Sequence, residues 1–267
     1  IYNNLLSFSE LLKQLLYLFS NNFWLLIALL LFTDANWLLE VYKWKVLASV
    51  EKKIDFMQAF KQSLTSHSVS IITPIRIGEY GAKALFFNKE KRKKIVVLNL
   101  IGNLYQLLAT TFLGLFGILF LVVNFELKLI ENEYYGTLII FIFLAFILFF
   151  YFKNWLQKTL KKTINYCKNI PKVIHFKVGF LAVLRYLVFS HQFYFLLTLF
   201  HIEIEYFTAM SLIFSMYLLA SIIPSLSIFD WAIKGSVAIW LFSLLAINPL
   251  TIATITTVMW LLNFAIP

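Results

Sequence analysis

The chain has 267 residues, 61% of them hydrophobic and only 13% charged, about half of the ~25% charged share of a soluble domain. A mean hydropathy of +0.82 excludes a soluble globule, and a single cysteine with 8 glycines and 5 prolines excludes a disulfide scaffold, collagen and a disordered chain. In this setting the net charge of +10 reads as basic loops facing anionic lipid at the cytoplasmic surface, not as nucleic-acid binding.

The expected fold is all-α: a polytopic helical membrane protein of about seven to eight spans in a single domain over 1–267. A β-barrel would show short alternating stretches, whereas the apolar runs here are continuous. Residues 1–22 include Glu10 and Lys13 and read as an interfacial segment, not a signal peptide, and both chain ends read as trimmed. The first span is expected at about 23–47, interrupted by Asp34 and Glu40, with Glu40 pairing with Lys43 or Lys45. A less apolar, Ser- and Thr-rich helix follows at 56–73, with His67 in a run suited to polar helix packing or a wet groove. It breaks at Thr73-Pro74-Ile75-Arg76-Ile77-Gly78-Glu79 before a short helix at about 80–87.

The basic run 89–94 precedes a clean span at 95–123. An acidic loop at 124–135 and a span at 136–152 come next. Residues 153–177 carry seven lysines and no acid, with apolar positions at helical spacing, so they read as one amphipathic surface helix. Spans are expected at 178–200, 206–223, 231–247 and 249–266, with Arg185 and His191 on the first of these. The positive-inside rule puts 89–94 and 153–177 in the cytoplasm and 124–135 and 201–205 outside. Segment 56–87 then starts and ends inside, as a re-entrant hairpin or a tilted pair of spans.

The second half carries a similar break at Pro224-Ser225-Leu226-Ser227-Ile228-Phe229-Asp230. Aligning Pro74 on Pro224 brings Ile54-Asp55-Phe56 onto Ile204-Glu205-Tyr206 and Ala59 onto Ala209. With one inserted residue, Glu79 falls on Asp230 and Lys83 on Lys234. Because the loops before the two breaks lie on opposite sides by charge, the repeat would be inverted, as in transporters whose site lies at broken helices. Its first half covers about 23–94 and its second about 178–266, with linking spans and the basic helix at 95–177 between them.

Intramembrane charges are expensive and need partners or a wet cavity. Glu79 with Lys83, and Asp230 with Lys234, are acid-first i,i+4 pairs on helices after the breaks. They read either as self-neutralising structural pairs or as groups lining a cavity for a charged headgroup. Arg76 sits inside the first break, where Pro74 and Gly78 open the backbone, and Pro224 opens the second. A guanidinium there either holds a phosphate bidentately or pairs with Glu79. No metal-ligand spacing, nucleotide loop or serine elbow is present, and no cofactor is expected.

The run Thr73 to Glu79, taken with Asn36-Trp37-Leu38-Leu39 and Lys45-Val46-Leu47 upstream, resembles the flippase-like family that contains the transmembrane domain of lysylphosphatidylglycerol synthase. That family has a Pro-x-Arg-x-Gly-Glu element in its first half and, after a Pro-Ser-type break, a second element ending in an acid. The likeness runs over nearly all of 23–266. It departs at Leu226-Ser227-Ile228-Phe229, where many members have paired glycines. The resemblance implies a stand-alone lipid-translocating domain of the bacterial inner membrane, without aminoacyl-transferase chemistry. Its substrate would be an anionic or aminoacylated phospholipid held by Arg76, Glu79, Lys83, Asp230 and Lys234. The alternatives are a membrane-embedded transferase using a lipid-linked donor, and a scaffold for a separate lipid-modifying enzyme docked on 153–177.

Overall fold

A computed structural model describes residues 23–71, 73, 76–125, 161–223 and 229–267. The described residues are helical with no strand. In chain order the helices are α1 (Phe23–Ala48), α2 (Phe56–Ile71), α3 (Ile77–Leu85), α4 (Arg92–Phe125), α5 (Lys172–Leu199), α6 (Tyr206–Ile222), α7 (Asp230–Ser243) and α8 (Pro249–Trp260). α8 runs on into a π-helical turn, Leu261–Ala265.

Three of these helices are long and apolar enough to cross a bilayer: α1, α4 over Arg92–Asn124, and α5. At 1.5 Å per residue the 26 residues of α1 reach about 39 Å, beyond the ~30 Å hydrocarbon. α4 turns Phe112 (76% exposed) and Leu119 outward, and α5 turns out Phe176 (75% exposed) and Phe180. Such apolar faces are a liability in water and ordinary in lipid. The protein is therefore a helical membrane protein.

In each broken segment a helix stops and a second helix follows with an acid in its first turn. Asp55 opens α2 with a capping box, its carboxylate accepting from Gln58 N–H at 2.7 Å while Gln58 Oε1 accepts from Asp55 N–H at 3.3 Å. At the matching place before α6, Glu205 accepts from the Thr208 hydroxyl at 2.8 Å. α2 stops before Thr73, and α3 restarts with an acid, Glu79, in its first turn. α6 stops at Ile222, and α7 restarts on Asp230. Across the first break, Thr73 Oγ1 accepts from Gly78 N–H at 3.0 Å. A Cβ on Gly78 would stand 2.7 Å from that oxygen, so the close approach requires glycine. Pro74 and Pro224 lie outside the described residues.

α6 is the central helix. Every residue from Thr208 to Leu218 is buried, which explains why α6 shows no polar face. It packs along α4, where Gly114 and Gly117 lie against Leu218, Phe214, Ser215 and Ser211. Small residues let membrane helices approach closely. A Cβ on Gly117 would stand 2.6 Å from the Ser211 carbonyl oxygen, a backbone atom that cannot step aside. Gly117→Val is expected to lower stability by about 1–3 kcal/mol. The check is a lower melting temperature in detergent; an unchanged one would contradict the tight α4–α6 contact.

The basic run near Lys91 is tied down locally. Glu51 pairs with Lys94 at 3.2 Å, accepts from the Tyr166 hydroxyl at 2.9 Å, and offers its backbone carbonyl to Lys91 at 2.6 Å.

Several boundaries differ from the sequence-based expectation, three of them informatively. The helix expected at 80–87 begins earlier, at Ile77, directly after Arg76. The helix expected at 231–247 ends earlier, at Ser243. The expected amphipathic helix 153–177 is not one element: residues 161–168 are helical, a turn follows, and α5 starts at Lys172. Pro171 is the reason, since it lacks an N–H and is accepted only at a helix entrance. Residues 153–160, the span at 136–152 and nearly all of the loop at 124–135 lie outside the described residues, as does the segment 1–22.

Candidate functional site

A cavity of about 470 Å³ lies between the two broken segments. Its charged lining is Arg76 and Glu79 from the first break and α3, Asp230 and Lys234 from α7, and Arg185 from α5. One face of α4 contributes Asn103, Gln106, Leu107 and Thr110, a helical i,i+3,i+4,i+7 stripe. Phe189, Phe193, Met216, Met259 and Trp260 supply apolar wall. Leu107, Ile223 and Trp231 line the cavity and are large apolar side chains that stay exposed.

Arg76 is held in the left-handed backbone region, at φ 57°. That conformation is uncommon for a residue with a side chain and is found where surrounding structure enforces it. Its guanidinium lies over the Phe264 ring, 5.4 Å from the centroid. It makes no ion pair or side-chain hydrogen bond with a described residue, and it lies within electrostatic reach of Glu79 and Asp230. Of the two readings the sequence left open for Arg76, the salt bridge to Glu79 is not formed.

Glu79 instead holds Lys83, at 2.9 Å. Lys83 does not line the cavity: its side chain is 2% exposed, donates to Asn99 Oδ1 at 2.8 Å and lies 4.7 Å from the centre of the Trp44 ring. The matching pair behaves differently. Lys234 reaches Asp230 at 2.6 Å, but both side chains remain open, 37% and 22% exposed, and both line the cavity.

Beneath the cavity lies a buried ionic cluster. Glu40 pairs with Lys43 at 2.6 Å and with Arg185 Nη1 at 2.7 Å, and has Lys83 at 3.8 Å. Glu40 thus takes Lys43 of its two expected partners, and adds Arg185 and Lys83. Arg185 Nε donates to Asn36 Oδ1 at 3.0 Å. Asn36 donates to Asn263 at 2.8 Å, and Asn263 to Gln192 at 2.8 Å. Gln192 in turn donates to Thr33 Oγ1 at 3.0 Å. This chain of amides ties α1, α5 and the π-helical turn together below the charged wall. π-Helical turns inside α-helices occur frequently at functional sites, and here the turn positions both Asn263 and Phe264.

His67 sits between the Trp37 and Phe264 rings, with Nε2 2.8 Å from the Phe264 carbonyl. It is a packed helix-contact group outside the cavity lining. His191 meets the Tyr206 hydroxyl at 2.9 Å, and Asp34 is exposed on α1. Among the described residues no group of His, Cys, Asp and Glu is arranged to hold a metal ion. Sequence reasoning placed Arg76, Glu79, Asp230 and Lys234 at a common site, and the structure brings these four together. It missed Asn36, Asn263 and the role of Arg185.

No protein-family model, no curated protein and no solved structure matches this chain.

Proposed function

We propose that the protein is a lipid flippase or lipid-headgroup transporter of the flippase-like kind, working in the cytoplasmic membrane. One observation carries this reading: charged groups from two breaks far apart in the sequence line a single cavity that also carries exposed apolar side chains. A headgroup enters the charged end while its acyl chains leave past Leu107, Ile223 and Trp231 into the bilayer. Arg76 meets the anionic phosphate, and Lys234 and Arg185 flank it. Asp230 holds Lys234 in place at 2.6 Å, and Glu40 holds Arg185 at 2.7 Å.

The matched sequence around the breaks, with an acid and a lysine following each, favours an inverted repeat within seven to eight spans. In such an arrangement the two broken segments rock about the fixed site. The basic residues at 89–94 and 161–168 then lie at the cytoplasmic surface against anionic lipid.

Arg76→Ala tests the reading. Arg76 has no ionic partner among the described residues, so the variant is expected to fold and to lose lipid translocation, at least about tenfold, in vesicles carrying a fluorescent phospholipid. That estimate follows from losing a charge-assisted contact of about 1.5–3 kcal/mol. Arg76→Lys keeps the charge without the planar fork and is expected to recover only part of the rate. Parent-like translocation by folded Arg76→Ala protein would reject the proposal.

A further inference from the structure

The charges at the site do not balance. Among the described residues, the cavity and the cluster beside it hold five cations, Lys43, Arg76, Lys83, Arg185 and Lys234, and three carboxylates, Glu40, Glu79 and Asp230. Each lysine takes one carboxylate: Lys43 with Glu40 at 2.6 Å, Lys83 with Glu79 at 2.9 Å, and Lys234 with Asp230 at 2.6 Å. Two positive charges remain: Arg76, and the one left over where Lys43 and Arg185 share Glu40; arginine does not lose its proton in proteins. Arg185 shares Glu40 with Lys43, yet keeps 21% of its side chain exposed and lines the cavity. The two guanidiniums flank the π-helical turn. Arg76 lies over Phe264, and Arg185 bonds Asn36, which bonds Asn263.

Intramembrane charge without a counter-charge is costly. We infer that the cavity takes a phosphate monoester, whose two negative charges match the surplus of two and meet the cavity-lining guanidiniums of Arg76 and Arg185, in preference to a phosphodiester or an aminoacylated headgroup. This inference rests on the lipid-translocation reading and narrows its substrate class. A phosphodiester leaves one positive charge uncompensated, and a headgroup amine adds another. Glu79 and Asp230 are each already occupied by a lysine, so neither carboxylate is free to receive that amine.

The test is binding by the full chain in detergent at about pH 8, above the second ionisation of a monoester near 6. Four probes are compared: dioctanoyl phosphatidate, dioctanoyl phosphatidylmethanol, dioctanoyl phosphatidylcholine and inorganic phosphate. Phosphatidate and phosphatidylmethanol differ by one methyl group and one charge. Phosphatidate is expected to bind roughly tenfold or more tightly than phosphatidylmethanol, and phosphatidylcholine more weakly than either. Arg76→Gln removes one charge and is expected to bring the two anionic lipids to near parity. Equal affinity of the parent protein for the two would overturn the inference and leave lipid translocation standing. Inorganic phosphate binding as tightly as phosphatidate would support the dianion site and overturn the lipid reading. Failure of phosphatidate to bind a folded protein that translocates other phospholipids would overturn the inference alone.

Discussion

Glu40→Gln is expected to destabilise the protein by about 3–5 kcal/mol, the cost of leaving buried charges without their partner. Glu40 is the one carboxylate held between Lys43 at 2.6 Å and Arg185 at 2.7 Å, with Lys83 close by at 3.8 Å. Glutamine keeps the shape and an acceptor oxygen but removes the charge. Lys43, which is almost wholly buried, has no other carboxylate in pairing distance among the described residues. The measurement is thermal unfolding in detergent, with Glu40→Gln and the double variant Glu40→Gln/Lys43→Met side by side. Removing the stranded lysine is expected to restore much of the loss, because a matched neutral replacement of a buried pair is often close to harmless. An Glu40→Gln protein that melts with the parent would show that the cluster contributes nothing to the fold. If the double variant is no better than the single one, Arg185 rather than Lys43 is the charge that suffers.

How much of this was legible in the sequence depends on the kind of signal. The helices were legible because their apolar runs are long and are interrupted by polar, proline-containing stretches; the caps at Asp55 and Asn248 appear only in the structure, and Pro171 splits the segment read as one helix over 153–177. The two breaks were legible for the same reason, and they led to Arg76, Glu79, Asp230 and Lys234. The ionic cluster was harder. Its contacts join α1 to α5 and to the π-helical turn, and no local pattern encodes which helix meets which. One signal was present nonetheless. Asn36, Glu40 and Lys43 fall at i, i+4 and i+7 on one face of an apolar helix, and Arg185 and Gln192 repeat the spacing on α5. A polar stripe on a membrane helix must turn inward to find partners, and these two stripes find each other. The π-helical turn has no such signature, since one extra residue per turn breaks the periodicity on which sequence reading depends.

The sharpest difference between sequence and structure concerns the two lysines. Equal spacing after the two breaks makes Lys83 and Lys234 equivalent on paper, yet their surroundings are not. α3 packs on α4, which places Lys83 against Asn99, and the Trp44 ring of α1 covers its ammonium. α7 packs on α6 and α8 and leaves Lys234 beside the cavity, 6.0 Å from the Tyr217 ring. The expected results therefore part. Lys83→Met strands Glu79 and Asn99 in a buried setting and is expected to lower stability by about 3–5 kcal/mol. Lys234→Met breaks a pair whose lysine is more than a third exposed, so its stability cost is expected to stay within about 1 kcal/mol. Translocation is expected to reverse the order. Lys234→Met removes a cation from the proposed headgroup site and is expected to slow the proposed transport in folded protein. Lys83→Met, assayed at low temperature where it remains folded, keeps the cavity-facing charges and loses less. Melting curves and vesicle assays on both variants decide the matter. Equal destabilisation would mean that Lys234 is as structural as Lys83, and a stable but inactive Lys83→Met protein would put Lys83 on the transport path.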